Sequence, residues 1–411
     1  MLLAHLTRRR LEREATALLR RRRVAVSPCA PLQTVEDGRG RSRQLLNFGS
    51  NDYLGLASHP VIAAALAEGA QRWGAGSGAS HLVTGHSLAH ARLEGELARL
   101  LSPWVPDAAA LLFCSGFMAN LALLTTLGDG EAAIFADKLN HASLVDGGLL
   151  AAARMRRYPH GRLDLLDAML RDCEQPIRLI VTDAVFSMDG DIAPLPALLE
   201  LAERHDAWLI IDDAHGFGVL GPNGEGALAH YDLSSTRLIY MGTLGKAAGV
   251  AGAFVAAHPA IVDALVQSGR SYIYTTAMPP ALAHALSASL KLITGEEGAS
   301  RRRQLATLTA ALRDRLSGLI ARDTGRGWQL ADSATPIQPL IVGDNAAALA
   351  LASTLDAAGL WVPAIRPPTV PANTARLRIT LSAAHTLDDV ERLSTTLAAC
   401  RPGGERPCVS T

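Results

Sequence analysis

Lysine is scarce in this sequence. Only three of its 39 basic residues are lysines, namely Lys138, Lys246 and Lys291. Arginine stays protonated near neutral pH, whereas lysine can lose its proton and form a Schiff base. Lys246 lies in the small, apolar stretch MGTLGKAAGVAGA, residues 241–253. This stretch alone leaves two interpretations open: a lysine retained for its chemistry, or a chance survivor in an arginine-rich sequence.

Cysteine, net charge and long apolar runs are also scarce or absent. The five cysteines are scattered without a CxxC pair, which argues against a zinc site or a disulfide framework and favours a reducing cytoplasm. A formal net charge of zero argues against bulk electrostatic binding to nucleic acid or to an anionic membrane. No uncharged apolar run reaches the roughly 18 residues of a membrane span. We therefore expect a cytoplasmic protein with no nucleic-acid or membrane partner.

The N-terminal segment MLLAHLTRRRLEREATALLRRRR is rich in arginine. Such a segment is compatible with a targeting sequence or a nucleic-acid-binding arm. Its apolar residues recur at near-helical spacing, which favours a surface helix packed on the body of the protein. These residues are Leu3, Leu6, Leu11, Ala15, Leu18 and Leu19.

From about residue 50, short apolar runs typical of strands alternate with helical stretches. This alternation predicts an α/β fold with a mostly parallel sheet covered by helices on both faces. The strand candidates are residues 110–114, 132–137, 177–187, 207–215, 237–243 and 251–257.

After about residue 285 the pattern changes to that of a smaller α+β domain. Helical patterns occupy residues 299–320, 345–358 and 387–400, with strand patterns at 336–343, 360–368 and 375–382. We expect an N-terminal helix and arm over 1–49, a large domain over 50–285, a small domain over 286–402, and a disordered tail over 403–411.

Polar side chains follow several of the predicted strands. His141 follows one strand candidate, Ser187, Asp212 and His215 lie at the C-terminal ends of two others, and Lys246 follows one more. Taken singly, each residue is compatible with a structural role. In open α/β sheets, however, ligands bind outside the carboxyl ends of the strands. The convergence of these groups therefore predicts an active site.

The stretch IIDDAHGFG, residues 210–218, allows other interpretations. A metal site using Asp and His, or a simple capped turn, would also fit Asp212, Asp213 and His215. We favour a carboxylate that holds a cationic partner, and we predict no metal.

A phosphate site is predicted at residues 111–127, LLFCSGFMANLALLTTL, a strand followed by a small turn and a helix. The free amides of Ser115, Gly116 and Phe117 would suit an anion, although an ordinary strand–helix turn fits as well. The glycine-rich stretch 74–86 follows a helix and lacks the GK[ST] ending, so it is not a P-loop. Together with a lysine, an acid and a histidine, these parts suit pyridoxal phosphate.

At this point the motifs resemble those of the α-oxoamine synthases, pyridoxal-phosphate enzymes of fold type I with an aspartate-aminotransferase-like fold. The resemblance extends over about residues 15–400. It rests on NFGSNDYLGL, FCSGFMAN, HASL, VFSMDGD, DDAHGFGVLG, GTLGKAAG, SYIYTTAMPP and IRPPTVPANTARLRITLSAAH. The last motif, together with IQPLIVGDN, resembles the motifs of one branch of this family, the branch that makes 8-amino-7-oxononanoate in biotin biosynthesis.

The resemblance implies catalytic roles for four residues and a cofactor contact for a fifth. Lys246 would carry the Schiff base and move protons, and Asp212 would pair with the pyridinium nitrogen. His141 would stack on the ring, while Ser187 and His215 would bond its hydroxyl oxygen.

Further contacts implied by the resemblance surround the phosphate. Gly116, Phe117 and Thr243 would hold the cofactor. Thr275 and Thr276 would reach the phosphate from the partner subunit of a homodimer whose active site lies at the subunit interface.

The substrate contacts implied by the resemblance are Arg21, Asn51, His141, Arg366 and Thr369. Asn51 and Arg366 would take the amino-acid carboxylate, and Arg21 and Thr369 would lie along the acyl substrate. The implied reaction condenses L-alanine with a pimeloyl thioester, on coenzyme A or acyl carrier protein, with loss of carbon dioxide. A sibling activity with glycine or serine and another acyl-CoA remains an alternative, as does a non-catalytic pyridoxal-phosphate-binding protein.

Two residues depart from the family pattern. Ala247 follows the lysine where glycine is usual, and its methyl group would crowd the loop. His81 stands where relatives often have glycine or arginine, near the expected acyl pocket. The methyl group of Ala247 need not block the Schiff base, and the His81 departure bears on the acyl chain more than on the reaction type.

Overall fold

A computed structural model of the chain describes residues 1–20, 22–36 and 40–400. The strands are β1 (Val24–Ala25), β2 (Leu32–Glu36), β3 (Ser42–Asn47), β4 (Ala109–Phe113), β5 (Ala132–Asp137), β6 (Arg154–Tyr158), β7 (Ile177–Asp183), β8 (Trp208–Asp212), β9 (Leu238–Thr243), β10 (Ala253–Ala257), β11 (Gln329–Leu330), β12 (Ile337–Gly343), β13 (Leu360–Trp361), β14 (Ala364–Ile365) and β15 (Ala375–Thr380).

The helices have these bounds: α1 (Leu2–Ala15), α2 (Pro60–Trp73), α3 (Leu88–Leu101), α4 (Gly116–Leu127), α5 (Ala142–Leu150), α6 (Leu163–Arg171), α7 (Leu195–Arg204), α8 (Ala227–Tyr231), α9 (Pro259–Ser268), α10 (Arg270–Ile273), α11 (Pro280–Thr294), α12 (Glu296–Arg322), α13 (Asn345–Ala357) and α14 (Leu387–Ala399). None of these helices, within the described part of the chain, combines the length and apolar character that crossing a bilayer requires.

The chain divides into two compact units. The first comprises Met1–Tyr53, Met188–Asp191 and Arg303–Thr411, and the second comprises Leu54–Ser187 and Ile192–Arg302. The expected boundaries at 49/50 and 285/286 therefore differ from these divisions. The N-terminal arm groups with the C-terminal residues because β3 pairs in parallel with β13, so that Leu46 lies opposite Leu360.

The second unit is built around a seven-stranded sheet in the order β4-β10-β9-β8-β7-β5-β6. Its strands are parallel except β10, which runs antiparallel to both β4 and β9. All six residues of β5 are buried, and so are all six of β9. Continuous burial of this kind is typical of a sheet covered on both faces. The predicted mostly parallel sheet is confirmed.

The first unit contains two smaller sheets, in the orders β1-β2-β3-β13 and β11-β12-β15-β14. The predicted C-terminal helices and strands are present, although the pattern at 360–368 forms two short strands, β13 and β14, rather than one. The predicted tail over 403–411 lies outside the described residues.

The N-terminal helix forms, but the predicted packing is wrong. Helix α1 has no buried residue, and Leu3, Leu6 and Leu11 are half exposed or more. Arg8, Arg9 and Arg10 occupy a full turn between these leucines, so no continuous apolar stripe is available to pack on the chain. The spacing predicted the helix correctly and its burial incorrectly.

Candidate active site

Lys246 follows β9 and lies in a half-buried loop. Its Nζ is 2.7 Å from Nε2 of His215, a buried residue three positions after the end of β8. Two basic nitrogens at hydrogen-bonding distance cannot both hold their full complement of protons without repulsion. The pair therefore allows a proton to be exchanged between the lysine amine and the imidazole.

Asp212 ends β8 and is buried. Its Oδ2 accepts a hydrogen bond of 2.7 Å from Nδ2 of Asn120, and its Oδ1 accepts one of 3.0 Å from the backbone amide of Ala214. Hydrogen bonds donated to both oxygens hold the carboxyl group in one orientation. The arrangement places this group at the strand end, where a carboxylate can face a cationic partner.

Asp213 has a different environment, although it is the next residue. Its Oδ2 accepts hydrogen bonds from the backbone amide of Ala227 at 2.6 Å and from the Tyr240 hydroxyl at 2.8 Å. Burial is the main cause that raises the pKa of Asp213, to about 7. This side chain ties a loop to the sheet, which identifies Asp212 as the member of the pair that faces the cavity.

His141 caps the N-terminus of α5. Its Nδ1 lies 2.7 Å from Oγ of Ser143 and accepts a longer bond, of 3.3 Å, from the Ser143 amide. Its own backbone amide donates to Oδ2 of Asp183 at 2.7 Å. Burial lowers the pKa of His141, and burial together with Asp212 raises the pKa of Asp183 well above its usual value. The imidazole is therefore held in place as a neutral ring.

These side chains converge on one cavity of about 160 Å³. Its lining residues are Gly116, Phe117, His141, Ser143, Asp183, Asp212, Ala214, His215, Met241, Thr243 and Lys246. Gly116 and Phe117 are the first residues of α4, where free amides suit an anion. Thr243 ends β9 and donates its hydroxyl to the Gly252 carbonyl at 3.1 Å. The cavity thus combines an anion site, a fixed acid, an amine and an imidazole.

Three of the cofactor contacts implied by the resemblance are not among the residues lining this cavity. Ser187 lies in the turn that follows β7, half-buried. Thr275 and Thr276 follow α10, and Thr276 is exposed and forms an isolated bridge with Ser80. The roles of these three residues remain predictions.

Of the predicted substrate residues, His141 lines the second unit's cavity, whereas Asn51, Arg366 and Thr369 belong to the other compact unit. There, Arg366 and Thr369 line a cavity of about 300 Å³ together with Arg20, whose Nη2 donates to the Thr369 hydroxyl at 3.3 Å. Arg21 lies outside the described residues, and Arg20 was not predicted. Asn51 does not line this cavity; its Oδ1 instead accepts a bond from Arg378 at 3.2 Å.

The loop after the lysine accommodates the unusual alanine. Ala247 is buried, and its methyl group lies beside Gly218. A Cβ atom added to Gly218 would lie only 2.7 Å from the Ala247 methyl carbon, so any side chain at position 218 would collide with it. Gly218 has a φ of +82° and so is well suited to lack a side chain. The absent side chain at Gly218 makes room for the methyl group of Ala247.

His81 is buried in a cluster of histidines. Its ring stacks on Tyr272 with centroids 4.9 Å apart, and its Nδ1 is 3.0 Å from Nδ1 of His86. His90 lies close enough for the three to share a metal ion. Both nitrogens of His90 are engaged by backbone groups, the amide of Ser87 and the carbonyl of Met278. The cluster therefore consists of three neutral rings, and both ring nitrogens of His90 are already hydrogen-bonded to the backbone.

The titration of His81 gives a testable prediction. Burial, His90 and His86 lower the pKa of His81 to about 4. In the unfolded chain it titrates near 6.5, so the unfolded state binds the extra proton and stability falls as the pH is lowered through this window. Between about pH 7 and pH 5 the loss attributable to His81 is about 2 kcal/mol.

His81→Gln should remove that part of the pH dependence. Urea unfolding at both pH values measures it, and comparing the variant with the wild type cancels the opposite effect of Glu94, whose pKa burial raises to about 7. An unchanged pH slope in the variant would show that His81 does not titrate as described.

The donor set of the second unit's cavity fits pyridoxal phosphate. A phosphate suits the amides at the start of α4, and the fixed Asp212 carboxylate suits a protonated ring nitrogen. Lys246 supplies an amine for the aldehyde, and His141 supplies a flat ring held at the wall of the same cavity. No residue lining the cavity contradicts this fit.

Comparisons with known proteins agree with this fit. Residues 43–397 match the family of class I and II aminotransferases. The chain is 66% identical to 8-amino-7-oxononanoate synthase 2 of Polaromonas sp., over 97% of this chain and 98% of the relative. It is also 66% identical to the 8-amino-7-oxononanoate synthase of Leptothrix cholodnii, with the same two coverages.

Solved structures are similar over most of the chain. The serine palmitoyltransferase of Sphingomonas wittichii has a TM-score of 0.84 at 28% identity and covers 97% of each chain. The 8-amino-7-oxononanoate synthase of Francisella tularensis has a TM-score of 0.72 at 32% identity, covering 86% of this chain and 97% of that one. On sequence and fold together, the chain belongs to the 8-amino-7-oxononanoate synthases of biotin biosynthesis, pyridoxal-phosphate-dependent acyltransferases within the class I and II aminotransferase family.

Proposed function

We propose that this chain condenses L-alanine with a pimeloyl thioester, on coenzyme A or acyl carrier protein, and releases 8-amino-7-oxononanoate, carbon dioxide and the free thiol. The observation that carries the proposal is the convergence of Lys246, Asp212, His141 and the start of α4 on one cavity. The identity of 66% to two 8-amino-7-oxononanoate synthases supports this substrate pair. The scatter of the five cysteines, without a CxxC pair, agrees with a cytoplasmic location.

Pyridoxal phosphate, when bound, supplies an aldehyde and an electron-withdrawing ring that stabilises negative charge at the α-carbon of alanine. Gly116 and Phe117 would hold its phosphate through their amides, with Thr243 as a further contact. Asp212 would pair with the ring nitrogen, and Ser187 and His215 would bond the ring hydroxyl oxygen. His141 would stack on the ring.

Lys246 is the base that takes the α-proton of alanine and later returns a proton. His215, at 2.7 Å, supports this role because it can accept the proton that the ammonium must lose. Asp183, which is buried, lines the same cavity and closes it toward the sheet.

Arg366 binds the alanine carboxylate, with Asn51 assisting. Burial and the nearby Arg20 guanidinium lower the pKa of Arg366, so its charge is not fully compensated and an anion would stabilise it. Thr369, with Arg20 beside it, lies along the acyl substrate, and Arg21 is a further candidate for that contact.

A homodimer completes the site in this proposal. Thr275 and Thr276 would bind the phosphate held by the partner subunit, because neither lines the cavity of its own chain. The exposed Tyr274, at 72%, marks the same segment as available for an intersubunit contact.

We expect Arg366→Lys to raise the KM for alanine by about 10- to 100-fold and to leave cofactor affinity unchanged. A guanidinium pairs with a carboxylate through two parallel bonds that an ammonium cannot reproduce. Arg303→Lys, on the exposed face of α12, is the matched control and should change neither value. A normal KM for alanine in Arg366→Lys would remove Arg366 from the substrate site.

A competition assay tests the choice of substrates. Pimeloyl-CoA, succinyl-CoA and acetyl-CoA are each supplied with alanine and with glycine. One methyl group gives only about 1–3 kcal/mol of discrimination, so glycine should react slowly rather than not at all. If glycine with a short acyl-CoA had the highest kcat/KM, the sibling activity would replace the proposed one.

A further inference from the structure

Asn120 is a buried polar residue that the proposed mechanism does not use. It lies on α4 with no exposed surface, and its Nδ2 donates to Asp212 Oδ2 at 2.7 Å and to Ser143 Oγ at 2.8 Å. Its Oδ1 has no hydrogen-bond partner within the described residues. A buried oxygen without a partner destabilises a fold. Asn120 therefore acts as a hydrogen-bond donor, through the two N–H groups of its side-chain amide.

The orientation of the Asn120 amide follows from the chemistry of its neighbour. An ionised carboxylate accepts hydrogen bonds and donates none. If the amide were reversed, its oxygen would face Asp212 Oδ2 at 2.7 Å, and two acceptors would oppose each other. The NH₂ group consequently faces both Asp212 and Ser143.

Ser143 continues this chain of hydrogen bonds to His141. Its Oγ accepts from Asn120 and lies 2.7 Å from Nδ1 of His141. Its backbone amide also donates to the same Nδ1, at 3.3 Å, and a backbone N–H cannot turn away. With a donor fixed in this direction, Nδ1 acts as an acceptor, so the ring proton of neutral His141 sits on Nε2.

We propose that Asn120 and Ser143 are positioning residues that hold His141 as its Nε2–H tautomer and link it to Asp212. Within the described chain, Nε2 of His141 has no other partner, and the ring lines the cavity. This nitrogen is therefore the donor available to a bound anion or carbonyl oxygen. Desolvation lowers the pKa of His141 and so favours the neutral ring, which carries its one proton on a single nitrogen.

One side-chain amide thus supports two residues of the cavity. Asn120 holds the carboxyl group of Asp212 in place by donating a hydrogen bond to its Oδ2. His141 must stay neutral with its proton on Nε2, and Ser143 favours that form in turn. The inference rests on the proposed function only for the roles of His141 and Asp212.

The test is a double-mutant cycle on the holoenzyme. Ser143→Ala, His141→Ala and the double variant are compared by the rate at which alanine exchanges its α-proton in D₂O, followed by ¹H NMR. This half-reaction needs no acyl substrate, so its outcome is independent of which thioester the enzyme uses. The dissociation constant of pyridoxal phosphate is measured for each variant as a second readout.

We expect Ser143→Ala to slow exchange by about tenfold, the effect of one lost hydrogen bond. In the His141→Ala background the same change should have no further effect, because Ser143 acts through His141. Ser143→Thr, which retains the hydroxyl, should restore most of the rate. Thr125→Ala, which removes a hydroxyl bonded within α4, is the control and should be silent.

Equal losses in both backgrounds would overturn the proposal, since they would indicate a purely structural role for Ser143. Asn120→Ala gives an independent arm: exchange should slow and cofactor affinity should fall together, because Asp212 loses a donor. If Asn120→Ala does not fold, the double-mutant cycle of Ser143 and His141 still tests the proposal. Normal exchange in a folded Asn120→Ala would equally contradict the proposal.

Discussion

Replacing Lys246 with alanine should lower turnover by about 10³-fold or more, because the variant loses both its covalent attachment point and its proton-transfer base. Cofactor should still bind, since the start of α4 and Asp212 do not depend on the lysine side chain. Borohydride reduction of the wild-type protein, followed by peptide mapping, should find the cofactor fixed on Lys246.

The scarcity of lysine makes this experiment unusually clear. Lys138 and Lys291 are the other two lysines, and both are exposed. Lys138→Ala and Lys291→Ala are therefore complete controls, and both variants should retain full activity. A cofactor label on either of these residues would refute the assignment of Lys246.

The second large effect is expected for Asp212→Asn. The amide cannot hold a positive charge on the ring nitrogen, so negative charge at the α-carbon of alanine would be poorly stabilised. We expect kcat to fall about 10²- to 10³-fold, on the scale of other preorganised electrostatic contacts. Steady-state kinetics together with the equilibrium affinity for pyridoxal phosphate separates this loss from a loss of binding.

Asp213→Asn is the matched control for Asp212. Its oxygen can still accept from the Ala227 amide and the Tyr240 hydroxyl, and Asp213 does not line the cavity. Turnover should therefore stay within a few-fold of the wild type. The reverse pattern, with Asp213 essential and Asp212 dispensable, would show that the wrong carboxylate has been assigned.

The central sheet could be predicted from sequence because its signal is local. The run AAIFAD matches β5, Ala132–Asp137, residue for residue, since a strand buried on both faces is continuously apolar. Strand β6 was missed because its sequence, RMRRY, carries three arginines. It is an edge strand of the sheet and four of its five residues are not buried, so no apolar run marks it.

Pairings between distant residues could not be predicted. Strand β13 joins β3 across more than 300 positions of sequence, and neither short strand has a pattern that specifies its partner. Of the residues that shape the cavity, Asn120 had a readable signal: it is a polar residue within the apolar stretch of α4. Its partners, Asp212 and Ser143, are fixed by the fold and are visible only in three dimensions.

Identification of the reaction product tests the account most directly. The holoenzyme is incubated with pimeloyl-CoA, or with pimeloyl acyl carrier protein, and L-alanine labelled with ¹³C either in the carboxyl group or in the methyl group. Mass spectrometry should find 8-amino-7-oxononanoate that retains the methyl label, with the carboxyl label released as carbon dioxide. A product that retains the carboxyl label, or no product from alanine while glycine or serine reacts readily with another acyl-CoA, would contradict the account.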